Sequence, residues 1–187
     1  MKEIKVADIL KETGVIKEGH FLLTSGRHSG QFLQCSQVLQ YPHYAELLCR
    51  MIAAPFENKK IETVIGPAMG GVILAYETVR ALGARAIFAE PADGKMGLRR
   101  GFQVQKNERV LVVEDAITTG GSVRKVLDIL EEVGAHIVGI SIMVDRTGGK
   151  INMGYPVHSL LAWDIESYDP QECPLCKEKL LLVKPKS

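Results

Sequence analysis

Four scarcities limit what this chain of 187 residues can be. Aromatic residues make up only 6%, cysteines number four, and no apolar run approaches the ~20 residues that a membrane span requires. The charges nearly cancel, with 23 Lys and Arg against 22 Asp and Glu. These counts argue against a disulfide framework, a membrane-spanning protein and a binder of polyanions such as nucleic acid. A small anionic ligand held by a few local groups remains compatible with them.

The length fits one domain, since typical domains hold roughly 100–200 residues. A chain of this size can bury about 70% of its unfolded surface and needs no covalent cross-links. The first five residues, Met1-Lys2-Glu3-Ile4-Lys5, mix charges and lack the apolar core of a signal peptide. We therefore expect a cytoplasmic protein.

Apolar residues alternate along the chain between helix-like and strand-like spacing. Helices are predicted over 3–13, 43–56, Val72 to Leu82 and Ser122 to Val133. Strands are predicted over Thr63 to Ile65, Ala86 to Ala89, Val110 to Val113 and Ile137 to Val144. Continuous apolar strands between helices indicate a doubly wound α/β fold, whose parallel sheet is buried on both faces. Such sheets bind ligands at the carboxyl ends of their strands.

One segment at such a strand end combines two carboxylates with a hydroxyl- and glycine-rich turn. It reads Glu114, Asp115, Ala116, Ile117, Thr118, Thr119, Gly120, Gly121 and Ser122. The carboxylates can accept hydrogen bonds from a vicinal diol such as a ribose, whereas the turn and the following helix start favour an anion. The pattern therefore predicts a ribose-5-phosphate site. It matches neither the Walker loop nor the dinucleotide-binding motif, and the plainer alternative is a solvated acidic strand end followed by a helix cap.

The segment from Val112 to Ser122 resembles the phosphoribosyl pyrophosphate (PRPP) motif of the type I phosphoribosyltransferases. Three further segments resemble the orotate phosphoribosyltransferases within that family. They are Glu18 to Ser29, the loop Gly66-Pro67-Ala68-Met69-Gly70-Gly71, and Asp145-Arg146 after the last long strand. The resemblance extends from about residue 10 to about residue 165.

The resemblance implies a reaction, a cofactor and an assembly. Orotate and PRPP would give orotidine 5'-monophosphate and pyrophosphate with Mg²⁺, as a step of UMP synthesis. The implied fold is the type I phosphoribosyltransferase fold, a twisted and mainly parallel sheet flanked by helices, with a small N-terminal hood. The single domain 1–187 would divide into a hood at about 1–40, a core at about 43–165 and a C-terminal tail at about 166–187, and the C-terminal part would help to build the hood. A homodimer that shares a mobile loop across its interface is also implied, without nucleic acid or membrane partners.

The resemblance also assigns roles to residues. The segment Glu114 to Ser122 would bind PRPP, the first two residues through the ribose hydroxyls and Thr118 to Ser122 through the 5'-phosphate. Ala68, Met69, Gly70 and Gly71 would form the pyrophosphate loop. Arg146 would bind the carboxylate of orotate, because a guanidinium can donate two hydrogen bonds to it, and Thr118 and Arg27 are further orotate candidates. Mg²⁺ would be held mainly through PRPP.

The chain departs from the family pattern where lysines are usual. Thr24 and Gly70 occupy two such positions, and the long segment Glu90 to Lys106, predicted as a mobile loop, has no histidine. Its cations Lys95, Arg99 and Arg100 are our candidates for binding the pyrophosphate, and the alternative is a solvated basic turn. Two other functions stay open on these grounds: transfer to another base, and PRPP sensing without catalysis.

The pair Cys173-x2-Cys176 invites a zinc assignment, but a tetrahedral site needs four ligands. Cys35 and Cys49 lie far away in sequence, and the five histidines show no metal-ligand spacing. A plain C-terminal tail is therefore the favoured interpretation, with zinc shared across a dimer as the alternative. His28 adjoins the expected base site, and the other histidines are interpreted as surface or core residues.

Overall fold

The computed structural model describes residues 5–23, 25–92 and 94–185. The predicted start of the first helix at residue 3 and the departure at Thr24 lie outside these residues. In chain order the α-helices and strands are α1 Val6–Glu12, β1 Ile16–Leu22, β2 His28–Leu33, α2 Pro42–Ala53, β3 Thr63–Pro67, α3 Gly70–Leu82, β4 Arg85–Ala92, β5 Lys95–Leu98, β6 Arg109–Ile117, α4 Gly121–Val133, β7 His136–Asp145, β8 Val157–Ala162, β9 Ser167–Tyr168, α5 Pro174–Lys177 and β10 Leu182–Val183. Short 3₁₀ turns at Cys35–Gln40 and Ala54–Phe56 flank α2.

A six-stranded sheet forms the centre of the molecule in the order β5-β4-β3-β6-β7-β8. Its strands pair in parallel except β5, which returns antiparallel to β4. The four residues Val110 to Val113 are completely buried, as expected for a β-branched run in the middle of a parallel sheet. The predicted α/β class is confirmed.

Helices cover both faces of this sheet because side chains alternate along each strand. On β6, Leu111 and Val113 face a core that contains α2 and α3, whereas Val110 and Val112 face a core that contains α4. Burying one such aliphatic side chain contributes roughly 1.5–3 kcal/mol. The two cores therefore hold the carboxyl end of β6, where the acidic pair lies, in a fixed position.

A second sheet joins the two ends of the chain in the order β10-β1-β2-β9. β1 and β2 form an antiparallel hairpin, β10 pairs in parallel with β1, and β9 pairs antiparallel with β2. This small sheet is the hood of the fold, and it draws two of its four strands from the C-terminal segment. None of its strands was predicted.

Two predicted boundaries were wrong. The stretch from Glu90 to Lys106 was predicted as a mobile loop, but its first part forms strands: β4 continues to Ala92 and β5 folds back on it, with Ala89 opposite Leu98. Gly94, at a φ of +77°, permits the tight turn. The strand predicted to end at Val113 continues through Ile117, so the acidic pair lies on β6 and not in a loop. Among the described helices, none combines the length and hydrophobicity needed to cross a bilayer.

Candidate active site

The acidic pair lies at the carboxyl end of β6. Glu114 is buried, and its carboxylate accepts a hydrogen bond from the backbone N–H of Asp115 at 3.0 Å. Burial, and next the negative charge of Asp115, raise the pKa of Glu114 to about 9, and burial also raises the pKa of Asp115. The pair therefore holds a proton at neutral pH in the free protein. It can both donate and accept hydrogen bonds toward a diol.

The turn after β6 forms a small open cavity of about 240 Å³ at the start of α4. Gly120 has a φ of +77°, and a Cβ there would collide with Met153. No side chain caps α4, so the backbone N–H groups of its first turn face the cavity and favour an anion. Thr118, Thr119 and Ser122 are exposed around it.

The structure adds Lys125 to this cavity and limits the role of Ile117. Lys125 lines the cavity from the first turns of α4. The only sequence signal for it was a position four residues after Gly121, which places both on one side of the helix. The side chain of Ile117 is buried in the α4 core, so this residue can offer only backbone groups to a ligand.

The loop from Gly66 to Gly71 packs tightly against itself and against the acidic pair. A Cβ on Gly66 would come within 2.6 Å of the backbone of Gly71, and a Cβ on Gly70 would overlap the carboxylate of Asp115. The N–H of Ala68 donates to the carbonyl of Ala89 at 2.7 Å, which ties the loop to β4. The peptide bond between Ala68 and Met69 is cis. The glycines therefore allow this loop to contact the end of β6.

Arg146 follows β7, and its backbone N–H donates to the carbonyl of Ile117 at 2.9 Å. Its half-buried guanidinium has a buried Nε–H without a hydrogen-bond partner in the described part of the chain. Burial lowers the pKa of Arg146, although an arginine stays charged at any ordinary pH. A buried unpaired donor is uncommon, and this one is available to an anionic ligand.

Two neighbours of Arg146 support this arrangement. The carboxylate of Asp145 accepts hydrogen bonds from the N–H and hydroxyl of Thr147, both at 2.7 Å, and from the N–H of Gly149, which fixes the turn that carries Arg146. The buried Cys35 thiol has a pKa raised to about 12 by burial, then by the charge of Asp115, while the charge of Arg146 lowers it. Cys35 therefore lies within electrostatic range of both groups. It belongs to no recognisable motif, so the sequence did not indicate it.

Arg27 is engaged within the hood. Its Nε donates to the hydroxyl of Ser167 at 2.9 Å and its Nη2 to the carbonyl of the same residue at 2.6 Å. The side chain thus joins the end of the first hairpin to β9. In this conformation two of the Arg27 donors are engaged within the hood.

The three loop cations lie on or just after the β4–β5 hairpin. Lys95 is exposed at the start of β5, and Arg99 is also exposed. Arg100 donates to the carboxylate of Glu90 at 3.1 Å, and its guanidinium lies 5.8 Å from the ring centre of Phe88. Arg100 is therefore anchored to the hairpin that carries it.

The carboxyl edge of the sheet thus brings together the acidic pair, the cavity at the start of α4, the glycine loop and Arg146. A larger cavity of about 690 Å³ lies at the opposite end of the strands, beside Glu62, Arg85 and Glu108. Arg85 and Glu108 form an ion pair there at 2.7 Å, so their charges already compensate each other. The edge that carries unpaired groups is the better candidate for a substrate site.

Comparison with known proteins places this arrangement in context. The phosphoribosyl transferase domain family matches residues 34–170. The chain is 52% identical to the orotate phosphoribosyltransferase of Caldicellulosiruptor bescii, over 96% of this chain and 94% of that protein. It is 47% identical to the orotate phosphoribosyltransferase of Thermotoga maritima, over 97% of each.

Solved structures share the same architecture. The orotate phosphoribosyltransferase of Aeropyrum pernix aligns with a TM-score of 0.72 at 25% identity, covering 84% of this chain and 93% of that one. The adenine phosphoribosyltransferase of Rhodothermus marinus aligns with a TM-score of 0.65 at 23% identity, covering 84% and 99%. The second likeness concerns the fold alone.

Proposed function

Because the chain belongs to the orotate phosphoribosyltransferase family, we propose that it transfers the 5-phosphoribosyl group of PRPP to orotate. The products are orotidine 5'-monophosphate and pyrophosphate, and the reaction is a step of UMP synthesis. The observation that carries this proposal within the chain is the unpaired, buried donor of Arg146 beside a ribose-phosphate pocket. The donor can bind an anionic base and the pocket can bind PRPP, both at one edge of the sheet.

The ribose-phosphate end of PRPP fits the acidic pair and the cavity. Glu114 and Asp115 hold the two ribose hydroxyls, and the α4 N-terminus with Thr118 to Ser122 holds the 5'-phosphate. Lys125 adds a positive charge at the same cavity. The proton on the acidic pair reduces repulsion of the incoming phosphates.

The pyrophosphate end of PRPP fits the loop Ala68, Met69, Gly70 and Gly71, which contacts the acidic pair. When pyrophosphate leaves, positive charge develops on the ribose carbon and negative charge on the leaving group. Lys95, Arg99 and Arg100 stabilise the leaving charge. The hairpin that carries Lys95 can exclude the water that would otherwise compete with the base.

Mg²⁺ is the cofactor that we propose for this reaction, and the residues present fit it. Mg²⁺ takes oxygen ligands and keeps several waters. The carboxylates of buried Glu114 and half-buried Asp115 offer acceptors for those waters, while the oxygens of PRPP supply most of the ligands. When bound, the ion neutralises charge on the departing pyrophosphate.

Orotate fits the side of the pocket that Arg146 and Thr118 face. The Arg146 guanidinium donates to the orotate carboxylate and gains the partner that its Nε lacks. Arg27 contributes by holding the hood hairpin against β9 above this side. A neutral purine would leave the half-buried guanidinium without a partner.

A homodimer in the cytoplasm is the setting that we propose. Ile73 and Tyr76 on α3, together with Met69 directly before the helix, form an exposed apolar stripe, with Tyr76 64% exposed. A second copy of the chain would cover this stripe. The four free thiols suit a reducing compartment. In light scattering, Y76E is expected to halve the mass relative to wild type, with V133E on α4 as the control.

The first test of the function is turnover with PRPP and Mg²⁺, followed by the loss of orotate absorbance. Adenine, hypoxanthine, xanthine and uracil serve as rival bases. Consumption of orotate alone supports the proposal. Consumption of another base would overturn the role of Arg146, and PRPP binding without any turnover would indicate a sensing protein.

A further inference from the structure

Two histidines of the hood and two cysteines of the C-terminal segment meet in one cluster. His20, His28 and Cys173 are buried, with 3%, 6% and 1% of their surface exposed, and Cys176 lies at the surface beside them. One nitrogen or sulfur atom from each residue lies within 4.8 Å of the other three. The cluster belongs to a single chain, so no second subunit is needed to complete it.

Four of the six distances between these atoms lie within about 0.3 Å of the edges of a zinc tetrahedron. With Zn–N near 2.05 Å and Zn–S near 2.3 Å, the edges are about 3.3 Å for N–N and about 3.6 Å for N–S. The structure has 3.0 Å between His20 Nε2 and His28 Nδ1. It has 3.6 and 3.7 Å from His20 Nε2 to the two sulfurs, and 3.3 Å from His28 Nδ1 to Cys176 Sγ.

The second nitrogen of His20 fixes which atom faces the cluster. Its Nδ1 lies 2.9 Å from the carbonyl of Leu180, an acceptor only, so Nδ1 carries the proton and Nε2 presents its lone pair to the cluster. A backbone carbonyl behind a ligating histidine is the usual outer partner in zinc sites. The hydrogen bond at Nδ1 thus orients the ring of His20 so that Nε2 can bind a metal.

We propose that His20 Nε2, His28 Nδ1, Cys173 Sγ and Cys176 Sγ bind one zinc ion that fastens the C-terminal segment to the hood. Two thiolates and two imidazoles are a common donor set of structural zinc sites. A closed set of four protein ligands leaves no position for substrate, so this ion is structural. The interpretation of the cysteines as a plain tail is replaced by this one.

The zinc site would stabilise the part of the hood that the proposed function places beside the base, and it would do so through the backbone. His28 directly follows Arg27, and β9 lies between that hairpin and the cysteines along the chain. Zinc would therefore hold in place the hairpin that carries Arg27 and its contacts to Ser167. This role is separate from the chemistry of transfer, and the zinc content can be measured whether or not orotate is turned over.

The test uses the full chain, purified and kept under a non-thiol reductant. Elemental analysis is expected to give one zinc per chain. Cobalt substituted for zinc is expected to show the visible bands of tetrahedral Co²⁺ and a thiolate-to-cobalt charge-transfer band. C176S changes the exposed ligand and therefore leaves the buried core intact. It should weaken zinc binding by at least roughly 100-fold, because losing a ligand costs more affinity than losing an outer-shell partner. C49A removes a buried cysteine elsewhere and should keep one zinc.

Each outcome bears on the proposal. A chelator should lower the melting temperature of wild type and C49A, and it should leave that of C176S unchanged. If the reduced chain binds no zinc when titrated with it, the cluster is only a hydrogen-bonded one and the proposal is wrong. The same conclusion follows if H20Q and C176S retain zinc with wild-type affinity.

Discussion

Replacing Arg146 by methionine separates a ligand-binding role from a structural one. The guanidinium is half-buried and its Nε–H has no partner in the described chain, so the free protein already carries its desolvation cost. Methionine has a similar length and no such cost. We therefore expect R146M to keep the melting temperature or to raise it by a few degrees.

R146M is expected to lose activity because the proposed contact of Arg146 is made only when orotate binds. Removing one partner of a buried, hydrogen-bonded charge pair costs about 2–5 kcal/mol, which corresponds to roughly 30- to 5000-fold. We expect kcat/KM for orotate to fall by that factor while PRPP still binds, because the phosphate cavity is untouched. Steady-state kinetics and thermal unfolding without ligand measure the two effects.

The matched control is R50M, which removes an arginine with a 70% exposed side chain and its ion pair to Glu46 on α2. It should change neither kcat/KM nor stability by more than a small amount. The reasoning about Arg146 is refuted if R146M keeps orotate turnover within threefold of wild type. It is also refuted if R146M loses stability strongly, since the residue would then be structural.

Three further predictions concern stability and the glycine loop. Glu114 keeps its proton up to about pH 9 in the folded protein but loses it near roughly pH 4.3 in the unfolded chain. The free energy of unfolding should therefore fall as pH rises between these values. E114Q should flatten this slope in urea titrations. Burial raises the pKa of Glu108, but hydrogen bonds from Thr63, the Gln105 N–H and Arg85 outweigh this effect and lower the pKa overall. E108Q should therefore cost about 1–2 kcal/mol at pH 7, and the cost should shrink as pH falls through the lowered pKa. G70A should raise KM for PRPP about tenfold or more, since its Cβ overlaps the Asp115 carboxylate.

Each of the three has a result that contradicts it. An unchanged pH slope in E114Q would mean that the proton resides elsewhere. An E108Q penalty that stays constant as the solution is acidified would exclude the charge of Glu108 as the cause. For the glycine loop the control is G30A, whose Cβ would make an ordinary 3.8 Å contact. Equal KM values for G70A and wild type would show that the loop can shift to accommodate the added methyl group.

The sequence predicted the core of the fold because the core follows from local patterns. β6 and β7 are long apolar, β-branched runs, and α3 and α4 each end at a glycine with positive φ, Gly83 and Gly134. The acidic pair and the phosphate turn were also predictable, because their residues are contiguous at a strand end.

The hood could not be predicted in this way because its strands depend on distant partners. β1 alternates little and three of its middle residues are exposed, and its neighbour β10 lies about 160 positions later in the chain. The cysteines and histidines come together only through that pairing, so their spacing in the sequence does not indicate a metal site. The β4–β5 hairpin was missed because Pro91 and Gly94 are typical of loops.

The joining of both chain ends in one sheet also sets the order in which the protein can be completed during synthesis. The segment from β3 to Arg146 contains the acidic pair and the phosphate turn, and it leaves the ribosome before β9 and β10. Until Leu182 and Val183 emerge, β1 has an unpaired edge beside His20 and Phe21. A nascent chain can therefore form the acidic pair and the turn after β6 first, and the hood is completed only when β9 and β10 have followed.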